Sequence, residues 1–387
     1  MRSMSADDMP RVPQVLMTAD TVGGVWSHAL ELAAGLGNAG MRVAIAAMGN
    51  PLTAFQRLQI ARLPTVSLHE STYRLEWMAN PWRDVRLAGE WLLRLEAELQ
   101  PAIVHLNQFA FGALPFTAPT LLVAHSCVLS WWRGVHGVPA SAAWDRYRRV
   151  VTEGLAGASL VGAPTSAMLA SLRANYGFKG TGIVLPNARS GRDYAPAAKQ
   201  PMILSAGRLW DAAKNLAALE AVAPRLPWPI CVAGSASQPT GGVRQIRGVC
   251  ALGELSPEAL AEKLSHASIY ALPARYEPFG QTALEAALSG CALVLGDVPS
   301  LREVWGSAAL YVGPDDHEGL HARLMHLIED AGFRRRMAAK AQARALRFTP
   351  QRMVKAYLAA YRRVVAVEAA SAKLPASTPA PAIVCAS

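Results

Sequence analysis

The sequence R-Y-E-P-F-G-Q-T-A-L-E-A-A-L-S-G, residues 275–290, is the stretch of this chain that most clearly indicates its fold. Apolar runs at residues 269–272 and 292–295 flank it on either side. Short runs of this kind are typical of buried strands, and Pro and Gly between them indicate a turn. Residues 282–289 have helical apolar spacing and predict a helix that begins near Gln281 or Thr282. The stretch therefore predicts a strand, turn, helix and strand unit of an α/β protein.

The same alternation of short apolar runs and helical patterns continues in both directions along the chain. Strands are predicted at residues 12–19, 41–48, 65–68, 103–106, 120–124, 160–163, 182–185, 202–206, 230–233, 269–272, 292–295 and 309–312. Helices are predicted at residues 25–39, 85–99, 144–155, 216–223, 257–266, 282–289, 319–330 and 350–367. Such alternation predicts mostly parallel sheets wrapped by helices, which is the Rossmann-like arrangement.

The alternation is broken by a polar stretch at residues 187–201 and restarts at Met202. At 387 residues the chain is longer than one hydrophobic core usually grows, so two domains are expected. We predict an N-terminal Rossmann-like domain and a C-terminal one, facing each other across a cleft. Their predicted limits are residues 11–195 and 200–348. A helix at 350–367 is expected to pack back on the N-terminal domain, and residues 371–387 to form a disordered tail.

Composition narrows the class of protein further. Hydrophobic residues make up 52% of the chain and charged residues 17%, a mixture that can bury sizeable cores. Every long apolar window is interrupted before about 18 residues, so no transmembrane helix is predicted. Residues 1–11 lack the apolar region of a signal peptide, and the five cysteines have no metal-binding spacing. We therefore expect a cytoplasmic protein. A formal charge of +10 favours anionic partners, and the inner face of the membrane is one of the candidates.

The residues of the 275–290 stretch suit an anionic ligand that is rich in hydroxyl groups. The unpaired N–H groups at the start of a helix near Gln281 can hold a diphosphate without a metal ion. Glu277 lies just before this helix and Glu285 lies inside it, eight positions later. Both carboxylates can accept hydrogen bonds from hydroxyl groups around one pocket. Taken alone, two such glutamates are more often ordinary surface residues.

A second candidate set follows the predicted strand at residues 202–206. Arg208 and Lys214 lie six positions apart across a strand-to-helix loop. A guanidinium and an ammonium group placed in this way can converge on one diphosphate and replace a divalent cation. The alternative is that both are ordinary surface cations of a basic protein.

Two more sites follow strands of the N-terminal half, at the sheet edge where open α/β folds bind ligands. Gly23 and Gly24 come after the first strand, and their lack of Cβ atoms lets backbone amides approach a phosphate or sugar. His125 comes directly after the strand at residues 120–124. The alternatives are that the two glycines form only a structural turn and that His125 is only a structural hydrogen-bonding residue.

The 275–290 stretch resembles the E-x7-E signature of glycosyltransferase family 4, whose usual form is close to E-P-F-G-x-x-x-L-E-A-x-A-x-G. The residues that match are Glu277, Pro278, Phe279, Gly280, Leu284, Glu285, Ala286 and Gly290. Leu288 stands where the family usually has Ala. Residues 207–215 are similar to the family's G-R…K-[GN] phosphate loop, with one more residue between Arg and Lys. Where relatives show a Pro-Asn-Gly-Val-Asp turn, residues 186–190 read Pro-Asn-Ala-Arg-Ser.

The resemblance implies roles for particular residues. Glu277 is expected to face the hydroxyl groups of a donor sugar, Glu285 to hold the ribose, and His125 to act beside the sugar. The predicted catalytic residues are Glu277, His125, Arg208 and Lys214. The predicted substrate-binding residues are Gly23, Gly24, Arg208, Lys214, Leu252, Glu277, Phe279, Gly280, Gln281, Thr282 and Glu285. Leu252 stands where family members hold the nucleotide base by backbone contacts.

For the whole chain, the resemblance implies a GT-B fold, with the acceptor side in the N-terminal domain and the donor side in the C-terminal domain. It also implies retaining transfer of a sugar from a nucleotide diphosphate sugar to an acceptor hydroxyl. UDP- or GDP-sugar is the expected donor, and neither a metal ion nor another cofactor is expected. The acceptor is expected to be a glycan, a lipid or a small molecule, with peripheral membrane contact as one option.

Three other functions are compatible with parts of the pattern. A sugar-nucleotide epimerase or hydrolase could use the same two-domain fold. A phosphorylase would need phosphate or pyridoxal phosphate, and no clear lysine site for that cofactor is found. A nucleic-acid-binding protein is indicated only by the charge, because the sequence has no concentrated basic stripe with interleaved aromatic residues.

Overall fold

The structure is a computed structural model that describes residues 13–238 and 241–371. Its strands form two parallel sheets, one in each half of the chain. The strands of the first sheet are β1 (Gln14–Asp20), β2 (Arg42–Met48), β3 (Val66–Glu70), β4 (Ile103–Leu106), β5 (Thr120–Val123), β6 (Leu160–Ala163) and β7 (Gly182–Val184). The strands of the second sheet are β8 (Gln200–Ala206), β9 (Ile230–Ala233), β10 (Cys250–Gly253), β11 (Ala267–Leu272), β12 (Ala292–Gly296) and β13 (Leu310–Val312).

Both sheets have the strand order of a doubly wound α/β fold. The first runs β3-β2-β1-β4-β5-β6-β7 and the second runs β10-β9-β8-β11-β12-β13. In each sheet the chain starts near the centre, winds to one edge and then returns to build the other side. This reversal leaves a crevice at the carboxyl ends of the central strands, which are β1 and β4 in one sheet and β8 and β11 in the other. The predicted fold class is confirmed.

Helices cover both faces of the sheets. Those of the first half are α1 (Gly24–Asn38), α2 (Ala54–Ala61), α3 (Trp82–Leu99), α4 (Val128–His136), α5 (Asp145–Gly157) and α6 (Ser166–Tyr176). Those of the second half are α7 (Leu216–Val222), α8 (Pro257–His266), α9 (Gln281–Leu288), α10 (Pro299–Trp305), α11 (His317–Glu329), α12 (Ala331–Ala345) and α13 (Pro350–Ser371). Because both faces of each sheet are covered, the central strands are almost continuously apolar.

The predicted strand limits agree with the structure to within two residues, but several elements were not predicted. β10 lies at the edge of its sheet and is largely exposed, so it has no apolar run to reveal it. The missed helices are α2, α4, α6, α10 and α12. In α12 the buried face includes two alanines, Ala341 and Ala345, which give little contrast in hydrophobicity.

The C-terminal helix also differs from its prediction. It was expected at residues 350–367 and extends to Ser371, the first residue of the predicted disordered tail. The rest of that tail, residues 372–387, lies outside the described part of the chain, as do residues 1–12. The domain limits themselves stay a prediction, although the first sheet ends at Val184 and the second begins at Gln200.

Helix α13 follows the second sheet in sequence but packs on the first. Its buried residues Tyr357, Tyr361 and Val364 share one hydrophobic cluster with Leu32 and Leu36 of α1. We call β1–β7 with α13 the N-terminal lobe and β8–β13 with their helices the C-terminal lobe. The chain therefore crosses between the lobes twice, at residues 185–199 and at residues 346–349.

Two histidines of the N-terminal lobe hydrogen-bond to tyrosine side chains of α13. His28 Nε2 lies 3.1 Å from the Tyr357 hydroxyl, and His105 Nδ1 lies 2.8 Å from the Tyr361 hydroxyl. Both rings are fully buried, at 1% and 0% exposure. Burial lowers the pKa of His28 well below its usual 6.5 and the pKa of His105 to about 3. Both histidines are therefore neutral in the folded protein near pH 7.

Replacing His105 with Gln is expected to reduce the acid sensitivity of the fold. In the unfolded chain His105 binds a proton near pH 6.5, but in the folded protein it does so only near pH 3. Its contribution to stability is therefore complete above pH 6.5 and is lost as the pH falls towards 3. Between pH 6.5 and 5 this loss amounts to about 2 kcal/mol for one histidine.

The test is urea unfolding of both proteins at pH 7.5 and pH 5. The wild type should lose more stability than His105→Gln over this interval, whereas the exposed His317→Gln control should behave like the wild type. An equal loss in wild type and His105→Gln would show that the ring is protonated without penalty.

Candidate active site

Loops after the central strands of both sheets meet at the carboxyl edges of those strands. Residues 20–24 follow β1 in the N-terminal lobe, and residues 207–215 and 273–280 follow β8 and β11 in the C-terminal lobe. These loops contain most of the residues that the sequence predicts to bind substrate. Parallel strands place such loops at one edge of the sheet, which is where doubly wound folds bind their ligands.

Glu277 is held by a cation and by the backbone of its own turn. Its Oε2 lies 2.5 Å from Lys214 Nζ. Its Oε1 accepts hydrogen bonds from the amides of Gly280, at 2.9 Å, and Phe279, at 3.4 Å. Burial alone would raise the pKa of Glu277, but the Lys214 charge and these hydrogen bonds outweigh it and lower the pKa. The carboxylate is therefore ionised and oriented.

This arrangement changes the predicted use of two backbone amides. The family resemblance implies that the amides of Phe279, Gly280 and Gln281 meet the phosphate groups. Here the first two of them bond to Glu277. Gly280 has φ 88°, a left-handed conformation that glycine adopts without strain. It tightens the turn so that the carboxylate can reach the amides before α9 starts. A phosphate would have to share or replace this carboxylate.

Glu285 is buried in α9 and forms an ion pair with Arg189. Arg189 Nε lies 2.7 Å from Glu285 Oε1, and the two side chains are only 9% and 8% exposed. Arg189 Nη2 also donates to Gln281 Oε1 at 2.8 Å. Burial opposes the charge of Arg189, but Glu285 and other nearby groups raise its pKa. Arg189 was not predicted as a site residue, although it lies in the Pro-Asn-Ala-Arg-Ser departure from the family pattern.

Arg208 and the glycine loop come from different lobes and lie side by side. Arg208 Nη2 forms an ion pair with Asp211 Oδ2 at 2.8 Å. A Cβ atom placed on Gly23 would lie 3.6 Å from Arg208 Nη1, and one on Gly24 would lie 3.4 Å from Gln281 Oε1. Gly23 also has φ 116°, which a residue with a side chain rarely adopts. The loop therefore fits closely against the cations and the start of α9.

Asp211 joins the lobes, and the sequence did not single it out. Its Oδ1 accepts a hydrogen bond from Trp131 Nε1, in α4 of the opposite lobe, at 2.9 Å. Burial would raise the pKa of Asp211, but Arg208 and the Trp131 hydrogen bond lower it. Further contacts between the lobes include Thr165 Oγ1 with the carbonyl oxygen of Pro278, at 3.1 Å.

His125 is oriented by a chain of hydrogen bonds at the edge of the first sheet. Asn107 Nδ2 donates to the carbonyl oxygen of Thr18 at 2.6 Å, so its Oδ1 faces His125 Nε2 at 2.8 Å. His125 must therefore carry its proton on Nε2, which leaves Nδ1 as an acceptor. Burial lowers the pKa of His125 to about 4, so the ring is neutral near pH 7.

The remaining predicted residues lie in the C-terminal lobe. Thr282, in the first turn of α9, accepts a hydrogen bond from the Tyr270 hydroxyl at 2.6 Å. Leu252 lies in β10 and packs partly against the core. The next residue, Gly253, accepts a hydrogen bond from the Gly234 amide at the end of β9. Leu252 therefore lies near the carboxyl ends of the strands, as the Arg208 loop does.

Another unpredicted carboxyl group, Asp20, lies at the end of β1 next to the glycine loop. It is 8% exposed and accepts a hydrogen bond from the Val22 amide at 2.9 Å. Burial raises the pKa of Asp20 to about 6. Its position directly after an apolar strand was the signal available in the sequence.

Within residues 13–238 and 241–371, three or more His, Cys, Asp or Glu side chains do not gather as they would around a metal ion. In the same ranges, no helix is both long and apolar enough to cross a membrane.

Comparison with protein families gives two adjoining matches. Residues 22–188 match the model described as "Glycosyltransferase Family 4", and residues 189–344 match that described as "Glycosyl transferases group 1". A phosphatidyl-myo-inositol mannosyltransferase of Mycolicibacterium smegmatis is 26% identical over 85% of this chain and 87% of its own. An Escherichia coli O-antigen chain mannosyltransferase B is 31% identical, but the match spans only 29% of either chain.

Solved structures share the fold at low sequence identity. Sucrose-phosphate synthase from Thermosynechococcus elongatus superposes with a TM-score of 0.77 and 19% identity, over 92% of this chain and all of the other. Anabaena HepE in complex with UDP-glucose gives a TM-score of 0.71 and 16% identity, over 92% of this chain and 99% of its own. At these identities the likeness shows the fold alone.

Replacing Arg189 with Met is expected to destabilise the protein strongly. The change leaves the buried Glu285 charge without its cation, which typically costs about 3–5 kcal/mol of unfolding free energy. Urea unfolding at pH 7.5 measures this loss. The matched control is Arg86→Met, which breaks an exposed pair with Glu90 and should cost less than about 1 kcal/mol.

The double variant Arg189→Met/Glu285→Gln removes both charges and should recover part of the lost stability. A loss in Arg189→Met no larger than in the Arg86→Met control would contradict the role assigned to this ion pair.

Proposed function

We propose that this chain, which is a family 4 glycosyltransferase with the GT-B fold, is a retaining and metal-independent enzyme. We propose that its donor is a nucleotide diphosphate sugar. The sugar is transferred to a hydroxyl group of an acceptor. The family matches favour this activity over the epimerase, hydrolase, phosphorylase and nucleic-acid-binding alternatives. The mannosyltransferase relatives and the UDP-glucose complex of HepE support a sugar nucleotide as the donor.

The observation that supports the proposal best is the Lys214–Glu277 ion pair beside Arg208 and the Gly23 loop. Two cations, one buried carboxylate and a closely fitting backbone segment therefore lie together at the carboxyl ends of the central strands of both sheets. A diphosphate needs the cations, and sugar hydroxyl groups need the carboxylate. Because Glu277 is buried and both cations are already held by ion pairs, these groups can stabilise charge without large rearrangement.

We assign the leaving-group charge to Arg208 and Lys214. As the bond between the anomeric carbon and the phosphate oxygen breaks, negative charge grows on the departing diphosphate. Lys214 would move its contact from Glu277 to this diphosphate, and Arg208 would do the same from Asp211. Glu277 is then left to accept hydrogen bonds from the donor sugar. Direct neutralisation by side chains is the reason to expect no requirement for a divalent cation.

The nucleotide is assigned to the other side of α9. Glu285 would accept hydrogen bonds from the ribose hydroxyl groups while Arg189 holds its charge. A carboxylate offers about four acceptor positions, so the ion pair leaves room for a ribose. Leu252 and Gly253 lie at the sheet edge proposed for the base. The base itself is proposed to be uracil or guanine.

For the transfer step we propose a front-face reaction with retention of configuration. The acceptor oxygen bonds to the anomeric carbon on the side from which the diphosphate departs. The acceptor proton goes to an oxygen of the departing diphosphate. Neutral His125, whose Nδ1 can accept a hydrogen bond, is placed to orient a hydroxyl group and not to donate a proton.

The acceptor is proposed to be a glycan, a lipid or a small molecule. The similarity to an inositol-lipid mannosyltransferase supports the lipid option, in which the enzyme would touch the inner face of the membrane. The proposed location is otherwise the cytoplasm.

The assignment of Glu277 is tested by a panel of UDP- and GDP-sugars assayed for binding and slow hydrolysis. We expect one donor to bind and turn over in the wild type. Glu277→Ala should lower kcat/KM for its hydrolysis by about 100-fold or more, because a contact to the reacting sugar is lost. Glu329→Ala, at an exposed carboxylate of α11, should match the wild type. A Glu277→Ala variant with normal turnover would overturn the site, and epimerised donor would favour an epimerase.

Metal independence is tested by dialysis against a chelator before the same assay. Turnover should be unchanged after EDTA treatment and after addition of Mg²⁺ or Mn²⁺, because Arg208 and Lys214 supply the positive charge. A loss of turnover in EDTA that either metal restores would contradict the proposal.

A further inference from the structure

A pocket of about 250 Å³ lies where the two chain crossings between the lobes meet. One wall comes from residues 186–188 of the first crossing. The opposite wall comes from residues 344–353, at the junction of α12 and α13. The residues assigned to donor binding do not line this pocket.

The charged side chains that line the pocket are all arginines. They are Arg344, Arg347 and Arg352. Arg344 is anchored, since its Nε donates to the carbonyl oxygen of Val304 at 2.6 Å. Arg352 Nη1 lies 3.4 Å from the carbonyl oxygen of Arg347. In the described part of the chain, none of the three forms an ion pair with a carboxylate, and the guanidinium of Arg347 has no hydrogen-bond acceptor.

The N-terminus of α13 adds to this positive environment. Thr349 caps the helix, because its Oγ1 accepts a hydrogen bond from the Arg352 amide at 3.3 Å. The helix is 22 residues long, so its first turn carries a full share of positive dipole charge. Thr349, Arg352 and Met353 of this turn line the pocket. A bound anion would therefore meet both guanidinium groups and a helix N-terminus.

Asn187 contributes a buried amide side chain to the wall of the pocket. It lines the pocket and is only 6% exposed. Among the described residues its buried Oδ1 has no hydrogen-bond partner. Buried polar atoms in folded proteins are rarely left unpaired.

The pocket is connected to the donor side through Phe348. The Phe348 ring packs edge-on against Phe279, with 5.4 Å between ring centroids. Its carbonyl oxygen accepts a hydrogen bond from the Arg189 amide at 3.2 Å. Phe348 also lines the pocket. One residue therefore separates the pocket from the turn that holds Glu277 and from the cation that holds Glu285.

We propose that this pocket is a second anion site, which binds a compact phosphate group distinct from the donor diphosphate. The ligand class is inorganic phosphate or a phosphomonoester. Guanidinium groups bind phosphate oxygens with two parallel hydrogen bonds, and the doubly charged ester offsets the repulsion between neighbouring arginines. The volume suits a small phosphorylated molecule and is too small for a nucleotide sugar.

The proposal is tested by calorimetric titration of the full chain with glycerol 3-phosphate and inorganic phosphate. The wild type should bind at one site, and Arg347→Gln/Arg352→Gln should bind at least tenfold more weakly. The matched control, Arg335→Gln/Arg336→Gln, removes two charges from α12 outside the pocket and should bind like the wild type. Arg347→Glu reverses an exposed charge of the pocket and provides a second, independent test, because it should also weaken the binding.

The donor site also contains cations, so Arg208→Gln is titrated in parallel and should retain the binding. Vesicles of phosphatidylcholine with phosphatidic acid, compared with phosphatidylcholine alone, distinguish a lipid headgroup from a free ester as the source of phosphate. Binding to either source that is lost with Arg347 and Arg352 supports the site. Absence of binding to both probes and both vesicles, or binding that the pocket variants do not weaken, overturns it. These measurements need no turnover, so they do not depend on the proposed sugar transfer.

Discussion

Two buried carboxylates in the C-terminal lobe determine how the rest of the site is arranged. Counted over the whole residue, Glu277 and Glu285 are only 8% and 6% exposed, and an ionised carboxyl group in such surroundings needs a cation. Glu277 takes Lys214 from the loop after β8, and Glu285 takes Arg189 from the first crossing between the lobes. The start of α9 is thereby tied to the phosphate-loop segment on one side and to the crossing on the other. Loss of either cation would affect both the geometry of the site and the stability of the fold.

The charged groups of the site are already paired with one another within the protein. Lys214 and Arg208 are each paired with a carboxylate, and the amides of Phe279 and Gly280 bond to Glu277. A donor would exchange these internal contacts for contacts to its phosphates and hydroxyl groups. Such exchange keeps the groups oriented throughout, which is a condition under which fixed charges stabilise a transition state well. The glycine loop fits beside these groups with Gly23 at φ 116°, a conformation that a residue with a side chain rarely adopts.

The C-terminal helix links this chemistry to the architecture. By returning to the N-terminal lobe, α13 forces the chain to cross between the lobes a second time, beside the first crossing. Its tyrosines bind the buried histidines of the first sheet, and its N-terminus faces the arginine-lined pocket at the crossings. Phe348 contacts both that pocket and the turn of Glu277. Lobe packing, the crossing and the donor side are thus parts of one connected structure.

The sequence by itself determined most of the strands, about half of the helices and the general nature of the site. Short, continuous apolar runs indicated buried parallel strands. The E-P-F-G stretch indicated a turn followed by a helix, with one carboxylate in each. These are local properties, since a strand or a helix start depends on residues close in sequence. The same local reasoning missed β10 and α12, whose residues have little contrast in hydrophobicity.

Only the tertiary structure decided which groups pair. Lys214 and Glu277 are 63 residues apart, Arg189 and Glu285 are 96 apart, and Trp131 meets Asp211 across 80 residues. Nothing in the local pattern of Arg189 distinguishes it from a surface arginine. Its role follows from the fold, because the first crossing passes beside α9, where a buried carboxylate needs a positive charge.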